Sequence, residues 1–179
     1  MPRFPVPFYS QHADIERHEW RSRGCGVTSL LMVLAYWKST DVKNTLPTLR
    51  VLLEDGVAIG AYREGVGWIH SGLARLAERF GYTGFNEDFA MQGKTPLSAE
   101  LAWEGLLKNL HSGPVLASVF SGFDPERGGG HIIVITGYED GHVYYNDPEE
   151  ATEERGIRSC SLASFLPAFK RRFIVIRPL

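Results

Sequence analysis

The sequence predicts an α+β fold, in which a helical first half packs on a mostly antiparallel sheet formed by the second half. Before His111, apolar residues recur every three or four positions, as in helices. After it, short β-branched runs are separated by turn residues, as in strands. The chain has 179 residues and no linker, repeat or low-complexity stretch, so we expect a single domain over residues 1–179.

An extended, proline-rich start is followed by four predicted helices: Gly26–Trp37, Leu46–Glu54, Gly67–Phe80 and Ser98–Leu110. The first is apolar on most sides, which indicates a buried central helix. Gly56 and Gly81 are expected to end the second and third helices, because glycine is common just beyond a helix C-terminus. Ser98 is expected to cap the N-terminus of the fourth.

The second half of the chain predicts strands at 114–120, 131–138 and 142–148, a short helix at 162–169 and a last strand at 172–178. Residues 131–138 are β-branched and nearly all apolar, which is typical of a central strand. Glu139-Asp140-Gly141 is a turn sequence that joins this strand to the next as a hairpin.

Composition excludes several classes of function. The formal net charge is −2, so nothing favours a nucleic-acid partner. No apolar stretch is long enough to span a bilayer, and the start, MPRFPVPFYSQ, lacks the apolar core of a secretory signal. We therefore expect a cytoplasmic protein whose two cysteines, Cys25 and Cys160, are free thiols.

Cys25 is the first candidate for chemistry, because it stands between Gly24 and Gly26 where a helix begins. A cysteine attacks as its thiolate, which a helix N-terminus and nearby positive charge favour, and Arg21 and Arg23 lie just upstream. The glycines are expected to leave room for a substrate backbone, and the amides of the first turn can bind an oxyanion. The alternative is a small residue buried in the core, and the local pattern leaves both open.

His131 and Asp147 are brought together by the expected register of one hairpin. If the two strands pair tightly across the turn at 139–141, His131 lies opposite Pro148 and beside Asp147. A nucleophilic thiol needs a base, and the base needs a group that orients it. The alternatives are a histidine at a strand end that faces solvent and an ordinary Asn-Asp-Pro turn.

Four motifs in order, PVPFYSQ, GCGVTSLLMVLAYW, GGGHIIVITGYEDGHVYYNDP and SLASFLPAFKRRFIVI, resemble peptidase family C39-like domains of the papain-like fold. The resemblance runs from Pro5 to Ile176, is weak between Thr40 and Glu100, and favours the stand-alone branch of the family over the transporter-fused branch. It implies that Cys25 is the nucleophile, that His131 is the general base and acid, and that Asp147 orients His131. It also implies that Gln11 is an oxyanion donor.

The same resemblance implies a cysteine peptidase or amide hydrolase that acts on a peptide or protein substrate, with no cofactor and no metal. In the transporter-fused branch the substrates are leader peptides cut after Gly-Gly, so small residues at the scissile bond are expected by analogy. The sequence departs from the family at Val27, where proline is more common. Residues 12–23 are long and charged, so we expect an extra loop beside the cleft.

Three other functions stay open at this point. The same triad can serve an acyltransferase or transglutaminase-like enzyme, because the shape of the cleft decides which acceptor takes the acyl group. The domain can also be a non-catalytic papain-fold binding module. A metal site from Cys25, His131 and Asp147, with His12 or His18, is the last alternative, although the spacing is not that of zinc ligands.

An acidic run, Glu149, Glu150, Glu153 and Glu154, follows Asp147 and reads either as a solvated loop or as a feature that favours a basic substrate. Cys160 lies in a sequence, Arg-Ser-Cys-Ser, that predicts a polar turn. The sequence predicts no interacting residue for His70.

Overall fold

The computed structural model describes residues 3–40, 43–90 and 95–179. These residues form six α-helices: α1 (Cys25–Ser39), α2 (Leu49–Ala58), α3 (His70–Glu78), α4 (Pro96–Leu110), α5 (Glu153–Gly156) and α6 (Leu162–Ala168). They also form eight strands: β1 (Tyr62–Arg63), β2 (Gly67–Trp68), β3 (Tyr82–Asp88), β4 (Val115–Val119), β5 (His131–Glu139), β6 (His142–Asn146), β7 (Ile157–Ser161) and β8 (Phe169–Pro178).

Six of these strands build one sheet in the order β3-β8-β4-β5-β6-β7, and every neighbouring pair is antiparallel. Five of the six come from the second half of the chain, and α1 to α3 come from the first. The predicted α+β architecture is therefore confirmed. None of the helices in the described ranges is long and apolar enough to cross a membrane.

Each face of the sheet buries its own apolar cluster. Helices α1, α2 and α3 cover one face, where they pack on Leu116 and Val134, and α4 and α6 cover the other, where they pack on Val115 and Ile133. Side chains alternate between the two faces along a strand, so a strand covered on both sides has to be apolar at nearly every position. This explains the continuous apolar run of β5.

Helix α1 is enclosed by the sheet, α2 and α3. Every residue from Gly26 to Tyr36 is buried. The prediction of a central helix that is apolar on most sides is confirmed, and the described helix begins one residue earlier and ends two residues later than predicted.

Helices α2 and α4 differ from the prediction at their ends. Helix α2 begins after Thr48, whose side chain accepts a hydrogen bond from the Val51 amide, and continues past Gly56 to Ala58. Gly56 does not end the helix; a Cβ there would lie 2.8 Å from Cζ3 of Trp68, so this glycine allows close packing. Helix α4 is capped by Thr95 rather than by Ser98.

Four strands, β1, β2, β3 and β7, were not predicted. Residues 67 and 68, expected to begin a helix, instead form β2, which pairs with β1. Strand β3 pairs with β8 at one edge of the sheet, and β7 pairs with β6 at the other. The expected polar turn around Cys160 is wrong, because Cys160 lies in β7 opposite Val143.

The β5–β6 hairpin turns through Asp140 and Gly141, which both have positive φ angles of 49° and 76°. Near His131 and Asp147, the observed register is shifted by one residue from the predicted one: Val134 pairs with Asn146 rather than with Tyr145. An irregularity between Ile135 and Gly137 contributes to this register. His131 still begins β5, and Asp147 directly follows β6.

Candidate active site

Cys25 is the first residue of α1 and is half-buried. The first hydrogen bond of this turn runs from the Thr28 amide to the Gly24 carbonyl, at 3.0 Å. Amides in the first turn of a helix have no acceptor within the helix, and they point toward its N-terminus. The Cys25 thiol therefore lies where backbone N–H groups are available to bind an anion.

The glycines beside Cys25 have a different role from the expected one. A Cβ at Gly24 would overlap Cδ1 of Ile15, and a Cβ at Gly26 would overlap Cγ of Trp68. The space that the sequence assigned to a substrate backbone is therefore filled by two side chains of the protein. Both glycines allow α1 to pack closely at its N-terminus.

His131 and Asp147 form a buried pair. Nε2 of His131 lies 2.7 Å from Oδ1 of Asp147, and their side chains are 10% and 9% exposed. The Asp147 carboxylate also accepts a hydrogen bond from the Glu149 amide, at 3.0 Å. Because Nε2 faces Asp147, Nδ1 is the imidazole nitrogen left for Cys25, which lines the same cleft.

Charge stabilises this arrangement. Burial by itself lowers the pKa of His131, but its hydrogen bonds with Asp147 and Cys25 and their negative charges outweigh burial and raise that pKa to about 10. Burial likewise raises the pKa of the Asp147 carboxyl, yet the hydrogen bond and charge of His131 outweigh it and hold the pKa below its usual value. The favoured state at neutral pH is an imidazolium beside a carboxylate.

One buried hydrogen bond joins the two elements that carry Cys25 and His131. The Ser29 hydroxyl of α1 donates to the Ile132 carbonyl of β5, at 2.9 Å. Ser29 lies one helical turn beyond Cys25, and Ile132 is the neighbour of His131. This contact therefore fixes the N-terminus of α1 against the start of β5.

Gln11 is brought to the same place by contacts with the loop after β6. The backbone N–H of Gln11 donates to the Pro148 carbonyl, at 2.8 Å. Its own Cβ lies 3.5 Å from the position that a Cβ of Gly24 would take. The side chain is buried, and its Nε2 donates to the Arg21 carbonyl at 2.9 Å and to Oε2 of Glu149 at 2.8 Å.

The expected positive charge from Arg21 and Arg23 is directed elsewhere. Arg23 forms an ion pair with Glu64 at 2.9 Å, and Nε of Arg21 donates to the Ile15 carbonyl. The positive charge that interacts with Cys25 is that of His131. Proximity in sequence therefore did not predict the charge near Cys25, because each guanidinium group donates to an acceptor other than Cys25.

The charged segment at 12–23 borders the cleft in part. Ile15 is buried against Gly24, and Trp20 packs against Tyr62 and Trp68 by ring contacts of 4.8 and 6.2 Å. Of this segment, positions 22 and 23 line the cleft. The charged side chains of Asp14 and of residues 16–19 are exposed, while Ile15 and Trp20 pack inward.

An open cleft of about 1010 Å³ contains all four residues implied by the resemblance, Gln11, Cys25, His131 and Asp147. The sequence did not identify three residues of the cleft as candidates for the site: Trp68, His70 and Ser118. Trp68 and His70 lie where the family motifs are weak, and Ser118 lies on an apolar strand. His70 Nε2 lies 2.7 Å from the Ser118 hydroxyl, and burial, with Arg172 nearby, lowers the pKa of His70 to about 4. His70 is therefore neutral at physiological pH.

The four glutamates of the acidic run have different surroundings in the structure. Glu150 pairs with Arg155 and Arg158, at 3.2 Å each, and Glu153 and Glu154 are exposed on α5. Glu149 instead reaches Gln11 and His12. Among the described residues, no group of three or more His, Cys, Asp or Glu side chains is placed to hold a metal ion.

A family model described as the Peptidase_C39 like family matches residues 4–173 of the chain. No curated protein matches it. The matched range includes the four residues implied by the resemblance.

Three solved structures have a similar fold. A protein from Bacillus anthracis described as a C39-like peptidase has 21% identity and a TM-score of 0.64, over 95% of this chain and 93% of that one. The peptidase domain of Streptococcus ComA, a bi-functional ABC transporter involved in quorum sensing, has 16% identity and a TM-score of 0.61, over 88% and 93%. A double glycine motif protease from an AMS/PCAT transporter, solved with its leader peptide, has 19% identity and a TM-score of 0.54, over 99% and 94%.

Proposed function

The chain belongs to the Peptidase_C39 like family, and we propose that it is a cysteine peptidase or amide hydrolase with a Cys25–His131–Asp147 triad. The observation that carries this proposal is the buried His131–Asp147 pair in a cleft that it shares with a cysteine at a helix N-terminus. We also propose that residues 1–179 act as one C39-like domain.

In the proposed reaction, the Cys25 sulfur, having given its proton to His131, attacks the carbonyl carbon of the scissile bond. The carbonyl electrons move to oxygen, where the Cys25 backbone N–H and the Gln11 side-chain N–H stabilise the charge. His131 then protonates the leaving amine as the C–N bond breaks. Water, deprotonated by His131, attacks the resulting thioester and releases the acid and the thiol.

Asp147 has the role of an orienting group. Its hydrogen bond to Nε2 keeps Nδ1 of His131 directed at the Cys25 sulfur, and its charge stabilises the imidazolium. The carboxylate stays ionised because its pKa is held low.

We propose that the substrates are peptides, with small residues at the scissile bond. One similar structure was solved with a leader peptide, which supports a peptide as the ligand of this fold. In this chain Trp68 packs over Gly26 and lines the cleft next to Cys25, which reduces the space near the scissile bond.

The thiol chemistry is tested by limited alkylation with iodoacetamide near neutral pH, with both cysteines followed by mass spectrometry. Cys160 is an internal control, because it lines the same cleft but burial raises its pKa. We expect Cys25 to be alkylated well before Cys160, and to lose this advantage in His131→Ala. Equal rates at the two cysteines in the wild type would contradict an activated Cys25.

Hydrolysis is tested separately with small-residue peptide esters and amides. Acyl-enzyme formation at Cys25, followed by release of the acid, is the expected result, and Cys25→Ala should abolish it. Release of the acyl group to added amines but not to water would show an acyltransferase.

A further inference from the structure

The side-chain amide of Gln11 has no N–H left for an oxyanion in this structure. Its Nε2 carries two hydrogens, and they are donated to the Arg21 carbonyl at 2.9 Å and to Oε2 of Glu149 at 2.8 Å. The orientation of the amide follows from these partners, because a carbonyl and a carboxylate both accept hydrogen bonds. A reversed amide would place three acceptor oxygens together.

Glu149 is held to the site at its backbone but not at its side chain. Its N–H donates to the Asp147 carboxylate, so its Cα stays beside the triad. Its side chain is 56% exposed, and its other oxygen lies 3.2 Å from Nε2 of His12, a side chain that is itself 38% exposed. The carboxylate can therefore leave Gln11 for water without any movement of the sheet.

Neighbouring Glu150 shows that the contact is specific to position 149. Glu150 also lines the cleft, but it pairs with Arg155 and Arg158. Among the described residues, the ion-pair partner of Glu149 is His12. The carboxylate that is not matched by an arginine is thus the one bonded to Gln11.

We propose that Glu149 is a latch that occupies the oxyanion donor in the resting protein and has to be displaced before the acyl step. This inference rests on the proposed function. While the latch is closed, the N–H that would stabilise the developing oxyanion is donated to a carboxylate, whose negative charge also repels the negative charge of the transition state. When it opens, that N–H is free.

The closed state contains one unfavourable feature that makes opening easier. Oε1 of Gln11 is buried and has no hydrogen-bond partner among the described residues. A buried acceptor without a partner costs free energy, so the closed arrangement does not satisfy the Gln11 amide fully. A small rotation of that amide, once Glu149 leaves, is therefore not opposed by the loss of a bond at Oε1.

The first test compares Glu149→Ala with Glu153→Ala, which removes the same charge from the same acidic run at an exposed position outside the cleft. Two reactions of Cys25 are measured: acylation by a peptide ester, which needs the oxyanion donor, and alkylation by iodoacetamide, which does not. We expect Glu149→Ala to raise the kcat/KM of acylation about tenfold, the usual scale for loss of one hydrogen bond to a charged group. Alkylation should change little, and Glu153→Ala should alter neither rate.

An unchanged or slower acylation in Glu149→Ala would overturn the latch, and a slower one would show that Glu149 supports Gln11. The route of the effect is tested with Gln11→Ala, in which the latch has nothing to hold. Adding Glu149→Ala to that variant should give no further increase. A tenfold increase in both backgrounds would mean that Glu149 acts on the substrate by charge, which also overturns the proposal.

A measurement without turnover separates this inference from the proposed function. In protein labelled with ¹⁵N at glutamine side chains, the NH₂ signals of Gln11 are assigned with Gln11→Ala. These proton shifts should move in Glu149→Ala and stay in place in Glu153→Ala. If they do not move, the latch is wrong even in an active enzyme; if they move and no variant is acylated, the contact exists and the proposed function is wrong.

Discussion

The sheet side of the cleft carries the buried His131–Asp147 pair, whereas on the helix side, with Gln11 and Cys25, the Gln11 side chain is bonded to an exposed carboxylate. His131 and Asp147 are each about one-tenth exposed and belong to one hydrogen-bonded hairpin. Gln11 is bonded to Glu149, whose side chain is more than half exposed. The His131–Asp147 pair is therefore already in place in this structure, while both side-chain N–H groups of Gln11 are donated to other acceptors.

The largest effect is expected from a change on the sheet side. Asp147→Asn keeps the shape of the side chain but removes the charge that stabilises the His131 imidazolium. We expect kcat to fall by about 10²–10⁴-fold, by analogy with other triads that lose the orienting carboxylate. Steady-state kinetics on a peptide ester measures this loss, with Glu153→Gln as the control for charge removal at an exposed position. A fall of less than threefold would place Asp147 outside the catalytic machinery.

The pH dependence of stability gives a second, smaller effect on the same side. The pKa of His131 is raised in the folded protein to about 10, above the 6.5 of an unperturbed histidine, so the folded state keeps a proton that the unfolded state loses. This stabilisation is full below about pH 6.5 and is lost as pH rises toward about 10, by at most about 1.4 kcal/mol per pH unit.

Urea denaturation between pH 6.5 and 9 measures that slope as the difference between the wild type and His131→Gln. We expect the free energy of unfolding to fall more steeply with pH in the wild type. His142→Gln, which changes an exposed histidine of the same hairpin, is expected to follow the wild type. Parallel curves for wild type and His131→Gln would show that the buried pair is not charged.

The smallest expected effect lies on the helix side, where packing at the glycines can be tested. Gly24→Ala places a Cβ against Cδ1 of Ile15, so we expect a loss of about 1–3 kcal/mol in the free energy of unfolding. The double variant Gly24→Ala, Ile15→Val should recover part of that loss, because the clashing methyl is removed. Gly130→Ala is the control on the sheet side: the nearest atom to its Cβ is the flexible end of Lys170, at 3.4 Å, so the change should be small. Equal stability in both alanine variants would mean that α1 shifts freely at its N-terminus.

The elements with strong local patterns were predicted well. Helix α1 and the strands at 115–119, 131–139 and 142–146 were expected close to their described bounds, because long apolar periods and a turn sequence with glycine are local signals. Strands β3 and β7 were missed because they lie at the edges of the sheet, where exposed polar residues hide the alternation. Helix α2 was misplaced because Gly56 was interpreted from its usual place after a helix, while its neighbour in space is Trp68.

The sequence by itself determined the α+β order, the place of Cys25 at the start of a buried helix, and the hairpin that carries His131 toward Asp147, since each depends on residues close together in the chain. Only the tertiary structure decided which groups surround them. Ile15 and Trp68 fill the space beside the two glycines, and the Gln11 amide is bonded to a carboxylate 138 residues away. Such contacts depend on how distant segments pack, and neither local periodicity nor turn chemistry carries that information.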